Sequence, residues 1–146
     1  MPAINFFEEN ISYRLKNKKA LRLWINETIK AEGFSLKELN YILCSDSYLL
    51  QINQQYLNHD TYTDIITFDN SEIEKVIVGD IFISIERIRE NAAKYNITES
   101  DELHRVIIHG ALHLLGYKDK SPVTKQKMTL KEDFYLSKRG FSKGLQ

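Results

Sequence analysis

Residues 98–119 read TESDELHRVIIHGALHLLGYKD and give the strongest structural signal in this chain of 146 residues. Thr98, followed three residues later by Asp101 and then by an apolar run, is typical of a helix N-cap. Gly116 is the kind of residue that ends a helix, because glycine adopts positive φ at little cost. The stretch therefore predicts one helix from Thr98 to Gly116 that leads directly into Asp119.

Two histidines on this helix have the spacing of metal ligands. His109 and His113 are four residues apart, so their directions differ by only roughly 40° and both imidazoles can reach one ion. A turn at Gly116 can bring Asp119 to the same ion. Two imidazoles and one carboxylate leave a fourth position open, as in catalytic zinc sites. We therefore predict one Zn²⁺ on His109, His113 and Asp119 that activates water, although manganese, iron or nickel also suits these ligands.

Outward from this helix, the apolar periodicity predicts an α+β fold. We expect one domain over residues 1–146, with a small mixed sheet of about four strands and five to six helices, mainly on one face. The metal site lies at the end of a central helix. The predicted strands are Ala3–Phe7, Leu39–Cys44, Asp64–Phe68 and Val76–Ile85. The predicted helices are Asn17–Ala31, one capped by Asp46, Glu86–Tyr95, Thr98–Gly116 and Pro122–Arg139.

The composition excludes several classes of protein. A hydrophobic fraction of 42% argues against disorder, and a net charge of zero argues against coating nucleic acid by bulk charge. No export signal or long apolar run is present, so we expect a cytoplasmic protein without a membrane partner. Five basic residues and no acidic one lie between Ser12 and Arg22. This run is either a basic binding face or an ordinary solvated surface.

The metal motif also resembles the metzincin pattern H-E-x-x-H-x-x-G-x-x-H, with two departures. Gly110 stands where the pattern has its Glu, and Asp119 stands where it has its third His. That Glu is the general base of the peptidases, and no other general base can be identified here. A metallopeptidase is therefore the least favoured of the possible activities.

Three stretches resemble the YbeY family of bacterial rRNA-maturation factors, which are zinc-dependent single-strand endoribonucleases. His109–Tyr117 reproduces the first nine positions of the family motif HGxLHLxGYDH. Lys118 and Asp119 replace its final Asp and His, so the family's third ligand falls on Asp119. Residues 52–68, INQQYLNHDTYTDIITF, resemble LNxxYRxKDxPTDVLSF, and residues 78–81 resemble LGDI. The resemblance implies a nuclease that acts in the cytoplasm on the 3′ end of small-subunit rRNA during ribosome biogenesis. Its partners would be RNA and ribosomal particles, and no DNA is expected.

Two departures from the family keep an alternative open. The family's functional Arg falls on Leu57, and its Lys falls on His59. Loss of the Arg removes a planar donor group that can bind a phosphate with two hydrogen bonds. The alternative is a zinc-containing assembly or RNA-binding factor without catalytic activity.

Six further residues are candidates for the surroundings of the metal. Asp64 and Asp80 could orient the metal-ligating histidines by hydrogen bonding to them, although capping or turn roles fit both residues equally well. His59 lies in a polar loop and is a candidate neighbour of the site. The candidate contacts to the RNA backbone, chosen for their charge beside the motif, are Lys118, Lys120 and Lys125.

Overall fold

The structure is a computed structural model that describes residues 2–57 and 63–141. These residues form four strands and five helices in the predicted order, and the α+β class is confirmed. The strands are β1 (Ala3–Glu9), β2 (Ser35–Cys44), β3 (Ile65–Asp69) and β4 (Val76–Ser84). The helices are α1 (Lys18–Ala31), α2 (Asp46–Leu57), α3 (Ile85–Tyr95), α4 (Glu99–Leu114) and α5 (Pro122–Ser137). In this part of the chain no helix combines the length and apolar character needed to cross a membrane.

The four strands form one mixed sheet in the order β1-β2-β4-β3. The pairs β1–β2 and β2–β4 are parallel, and β3 is antiparallel to β4. β2 begins at Ser35, four residues before the predicted start at Leu39. Its first residues are mostly polar and exposed, so they carry no apolar alternation, yet their backbone pairs with β4 from Val76 onward. Backbone pairing therefore extends the strand beyond its apolar pattern.

The sheet is covered mainly on one face, as predicted. That face packs under α1 and α4, and its core also includes Ile88 of α3 and Met128 of α5. The other face carries a smaller cluster, in which Leu49 and Ile52 of α2 pack on Ile42 and neighbouring strand residues. The helix with the two histidines thus belongs to the larger core, where buried apolar surface supplies most of the stabilisation.

Two glycines let α4 lie close to the sheet. A Cβ at Gly110 would lie 2.9 Å from Cδ1 of Ile65 and 3.0 Å from side-chain atoms of Ile81. A Cβ at Gly79 would lie 2.8 Å from the carbonyl oxygen of Phe68 and 2.9 Å from Cδ1 of Leu114. The space beside position 110 is filled by the core. A Glu at this position, as in the metzincin pattern, would not fit without displacing core side chains.

The helix caps were only partly predicted. The Thr98 hydroxyl accepts a hydrogen bond from the Asp101 amide at 3.0 Å, which confirms the cap of α4. The prediction that Asp46 caps α2 is wrong, because the hydroxyl of Ser45 accepts from the Tyr48 amide at 3.1 Å. Asp46 instead accepts from Nε of Arg87 at 3.1 Å and so joins α2 to α3. Ser and Asp are equally good caps, so two adjacent candidates leave the first residue of the helix undetermined.

His104 is a packing residue rather than a metal ligand. It is 3% exposed, and its ring lies against Trp24 and Phe141. Its Nδ1 accepts a hydrogen bond from Nη1 of Arg139 at 2.7 Å. Burial, and then the charge of Arg139, lowers the pKa of His104 from 6.5 to about 4, so the imidazole is neutral at pH 7.

Acid should therefore destabilise the fold through His104. Between pH 6.5 and about 4 the unfolded chain binds a proton at this residue that the folded chain does not. The stability due to neutral His104 is complete above pH 6.5. Below that pH it decreases by up to about 1.4 kcal/mol for each unit by which the pH is lowered. Urea unfolding across this range should show a smaller loss for His104→Leu than for wild type. Equal losses in the two proteins would contradict this.

The close approach at Gly79 makes a second prediction. Gly79→Ala should lower the free energy of unfolding by about 1–3 kcal/mol, because the neighbouring strand backbone cannot move away from the added methyl group. Gly140→Ala is the matched control, since a Cβ there meets nothing within 4 Å. Urea midpoints measure both variants, and equal shifts for the two would show that the packing at Gly79 has no such effect.

Candidate metal centre

The structure brings His109, His113 and Asp119 together. Nε2 of His109 and Nε2 of His113 are 3.0 Å apart. Oδ2 of Asp119 lies 3.2 Å from Nε2 of His109 and 3.4 Å from Nε2 of His113. Within residues 2–57 and 63–141 this is the one group of three such side chains whose ligand atoms all lie within 4.8 Å of one another. Tetrahedral zinc with bonds of about 2.0–2.1 Å separates its ligand atoms by about 3.3 Å. The three residues therefore fit a single metal ion.

The end of α4 returns the chain toward the histidines. Gly116 has φ 103°, and its amide donates to the carbonyl of His113 at 3.0 Å. The Tyr117 amide donates to the carbonyl of Leu112 at 3.1 Å. This pair of hydrogen bonds is a Schellman motif, which satisfies the last carbonyl groups of the helix and reverses the chain. Asp119 follows within three residues of the glycine and reaches the two imidazoles.

Protein acceptors hold the far nitrogen of both imidazoles. Nδ1 of His109 lies 2.5 Å from Oε2 of Glu132, and Nδ1 of His113 lies 3.0 Å from the carbonyl oxygen of Tyr117. A carbonyl or a carboxylate can only accept, so in the neutral form of each ring the proton is on Nδ1. Each Nε2 is then left with a lone pair directed at the shared space, which is the tautomer a metal requires.

Glu132 is a buried carboxylate that lies between His109 and Arg105. It is 6% exposed, and its second oxygen accepts from Nη1 of Arg105 at 2.7 Å. Arg105 donates with Nη2 to Asp133, also at 2.7 Å. Burial lowers the pKa of His109, but the Glu132 hydrogen bond and the charges of Glu132, Asp119 and Asp64 outweigh burial and raise it. The same negative surroundings favour a bound cation.

Sequence reasoning missed Glu132 and Arg105. One signal was available, since Met128, Glu132 and Tyr135 lie at i, i+4 and i+7 and form the buried face of α5. A carboxylate on such a face requires a partner, because burying an unpaired charge is costly. The partner itself depends on how α5 packs on α4, and nothing local in the sequence gives that.

A cleft of about 270 Å³ opens beside the metal group, by which we mean His109, His113 and Asp119. Asp64 and Lys125 line it together with His109 and Asp119. Asp64 thus lies near the histidines, but the carboxylate that bonds to His109 is that of Glu132. A larger cavity of about 640 Å³ lies between α1 and β1, and none of its lining residues is a metal-ligand type. The smaller cleft can therefore hold a substrate next to a metal.

The remaining candidates are distributed differently. Asp80 points to the sheet face opposite α4, where it accepts from Nδ2 of Asn40 at 3.0 Å and of Asn70 at 3.2 Å. The prediction that Asp80 supports a metal-ligating histidine is therefore wrong. Side chains alternate between the two faces of a strand, and that of Asp80 is on the face away from α4. His59 lies outside the described residues. The exposed candidates that flank Asp119 in sequence are Lys118 and Lys120.

The contact between Glu132 and His109 can be tested by metal affinity. Glu132→Ala should weaken Zn²⁺ binding by about 10–100-fold, because His109 loses the acceptor that fixes its tautomer and orientation. Asp133→Ala is the matched control, since Asp133 bonds to the same Arg105. Its affinity should stay within about twofold of wild type. Competition with a chromophoric chelator measures both, and an unchanged affinity in Glu132→Ala would contradict the assignment.

The chain is similar to known proteins over most of its length. A family model described as Endoribonuclease YbeY matches residues 3–140. Endoribonuclease YbeY of Cytophaga hutchinsonii is 55% identical over 138 residues, which cover 94% of this chain and 96% of the relative. The protein of that name from Karelsulcia muelleri is 50% identical over 133 residues, covering 91% and 93%. The solution structure of TM1509 from Thermotoga maritima has a TM-score of 0.64 and 31% identity, covering 91% of this chain and 86% of that one. The chain belongs to the endoribonuclease YbeY family.

Proposed function

We propose that this chain is a zinc-dependent endoribonuclease that cuts single-stranded RNA, with the zinc ion on His109, His113 and Asp119. The observation that carries the proposal is the set of three ligand atoms 3.0–3.4 Å apart at the end of α4. Three protein ligands leave a coordination position for water or substrate, which distinguishes a catalytic site from a structural one. The family name supports RNA as the polymer that is cut.

The protein's own contribution is to hold these ligands ready. Zinc, when bound, supplies an acidic water and polarises a phosphoryl oxygen. α4 fixes the spacing of the two imidazoles, and Glu132 and the Tyr117 carbonyl keep each Nδ1 protonated. The ligand atoms therefore need little reorganisation before metal and substrate bind. This preorganisation is what the buried Glu132 contributes to the reaction.

The cleft has a cation available for the RNA backbone. Lys125 lines the cleft and takes part in none of the ion pairs found among the described residues, whereas Arg105 is bonded to Glu132 and Asp133. We assign Lys125, together with Lys118 and Lys120, to phosphate contacts. A lysine ammonium is a point charge without the two-pronged geometry of arginine. Phosphate binding should accordingly depend strongly on salt.

We further propose that the enzyme acts in ribosome biogenesis, in the maturation of the 3′ end of small-subunit rRNA. Its partners would be RNA and ribosomal particles in the cytoplasm, and residues 1–146 would form one domain. Two findings support this: a family model that covers residues 3–140, and relatives named Endoribonuclease YbeY that align over nearly their whole length. No DNA substrate is proposed.

A non-catalytic assembly factor is the second candidate, and Leu57 favours it. Leu57 is the last residue of α2 and is 40% exposed, so the position where the family resemblance expects Arg presents an apolar side chain. A peptidase is disfavoured, because the space at Gly110 is filled by Ile65 and Ile81 and leaves no room for the metzincin Glu.

The nuclease proposal predicts that purified protein contains about one zinc per chain and cuts single-stranded RNA. His113→Ala and Asp119→Ala should each reduce cleavage by roughly 100-fold or more, since each removes a metal ligand. Cleavage is measured on a labelled single-stranded RNA, with the same RNA in duplex form and casein as control substrates. Neither control should be cut.

Other outcomes separate the alternatives. Cleavage that survives both chelation and His113→Ala would exclude a zinc mechanism. Protein that holds zinc and binds ribosomal particles but cuts no RNA would establish the assembly factor instead. Cleavage of casein with intact RNA would identify a peptidase.

A further inference from the structure

Glu32 joins three parts of the molecule. It follows the last residue of α1, and its side chain is 12% exposed. Its carboxylate accepts hydrogen bonds from the hydroxyl of Tyr117 at 2.6 Å, from Nζ of Lys131 at 3.2 Å, and from the hydroxyl of Tyr135. Tyr117 belongs to the loop that carries Asp119, and the other two donors belong to α5. One carboxylate thus links α1 and α5 to residues 116–119, which we call the metal loop.

Tyr117 is placed to pass this restraint to the metal ligands. Its carbonyl oxygen accepts from Nδ1 of His113 at 3.0 Å, and its amide donates to Leu112 to close α4. It also lies only two residues before Asp119. A shift of Tyr117 therefore moves a ligand on either side of it, one through a hydrogen bond and one through the chain.

The Glu32 carboxylate is a strong acceptor. Burial acts to raise the pKa of Glu32, but the hydrogen bonds from Tyr117, Tyr135 and Lys131 and the charge of Lys131 outweigh it and lower the pKa. The group is ionised at neutral pH, and hydrogen bonds to an ionised acceptor are shorter and stronger than neutral ones. The Lys131 ammonium also lies 5.7 Å from the centre of the Tyr117 ring. Ring and hydroxyl of Tyr117 are thus both held.

We propose that Glu32 is a positioning residue of the metal centre. By binding the Tyr117 hydroxyl it fixes residues 116–119, so that Asp119 and His113 keep the spacing that one metal ion requires. The inference rests on the proposed function only in that His109, His113 and Asp119 bind zinc. Glu32 touches neither metal nor substrate, and its effect is on the geometry of the ligands.

A pair of tyrosine variants tests this positioning role. Tyr117→Phe and Tyr135→Phe each remove one hydroxyl from the same Glu32 carboxylate, but only Tyr117 lies in the metal loop. Tyr117→Phe should weaken Zn²⁺ binding about tenfold, within the range measured for partners of metal ligands. Tyr135→Phe should stay within about twofold of wild type. Affinity is measured by chelator competition, and the urea midpoint of each variant is measured in parallel.

Glu32 itself gives the second set of variants. Glu32→Ala should weaken Zn²⁺ binding as Tyr117→Phe does, and Glu32→Gln should fall between it and wild type, because the amide oxygen still accepts a weaker hydrogen bond. The double variant Glu32→Ala with Tyr117→Phe should bind Zn²⁺ no more weakly than Glu32→Ala alone, since Glu32→Ala already removes the contact that Tyr117→Phe breaks.

The outcomes separate this inference from the proposed function. Equal zinc affinity in wild type and Tyr117→Phe, or equal losses in both tyrosine variants, would overturn the positioning role and leave Glu32 as a structural tie. Wild-type protein that binds no zinc, or His113→Ala that binds zinc as tightly as wild type, would overturn the proposed function instead. If Glu32→Ala does not fold, the tyrosine pair, which retains Glu32, still decides.

Discussion

The arrangement of the metal group depends on where and how α4 ends. Two histidines one helical turn apart supply two ligands on any exposed helix, but the third requires that the chain reverse within three residues. Gly116, with φ 103°, makes that reversal, and the amides of Gly116 and Tyr117 satisfy carbonyl groups that the helix would otherwise leave unpaired. A side chain at this φ would be strained. The end of the helix and the third ligand are therefore one structural feature.

Three elements distant in sequence restrain this feature. The sheet accepts α4 closely because positions 79 and 110 carry no side chain. α5 supplies Glu132 to His109, and Arg105 of α4 holds Glu132 in turn. The residue after α1 supplies a carboxylate to Tyr117. Each of these contacts is charged or closely packed and most are partly or wholly buried, so the site has few ways to relax. A metal ion held by His109, His113 and Asp119 would therefore bind at a site that the whole fold preorganises.

Much of this was predictable from local pattern. The element order, the mixed sheet and the limits of α4 follow from apolar periodicity and from Thr98 and Gly116, while His109, His113 and Asp119 follow from spacing. The roles of Glu132 and Glu32 could not be predicted, because they depend on how α5 and α1 pack on α4. Glu132 is 23 residues from His109 and Glu32 is 85 residues from Tyr117, so no local pattern indicates either contact. Asp80 was misplaced although alternation along β4, where Ile77 and Ile81 face the core, puts it on the other side.

Anomalous diffraction at the zinc edge, from crystals grown with the metal, tests the central claim most directly. The account predicts one peak at about 2.0–2.2 Å from Nε2 of His109, Nε2 of His113 and a carboxylate oxygen of Asp119, with the fourth position taken by no protein atom. A peak elsewhere, no peak between these residues, or a fourth protein ligand that closes the site would contradict it.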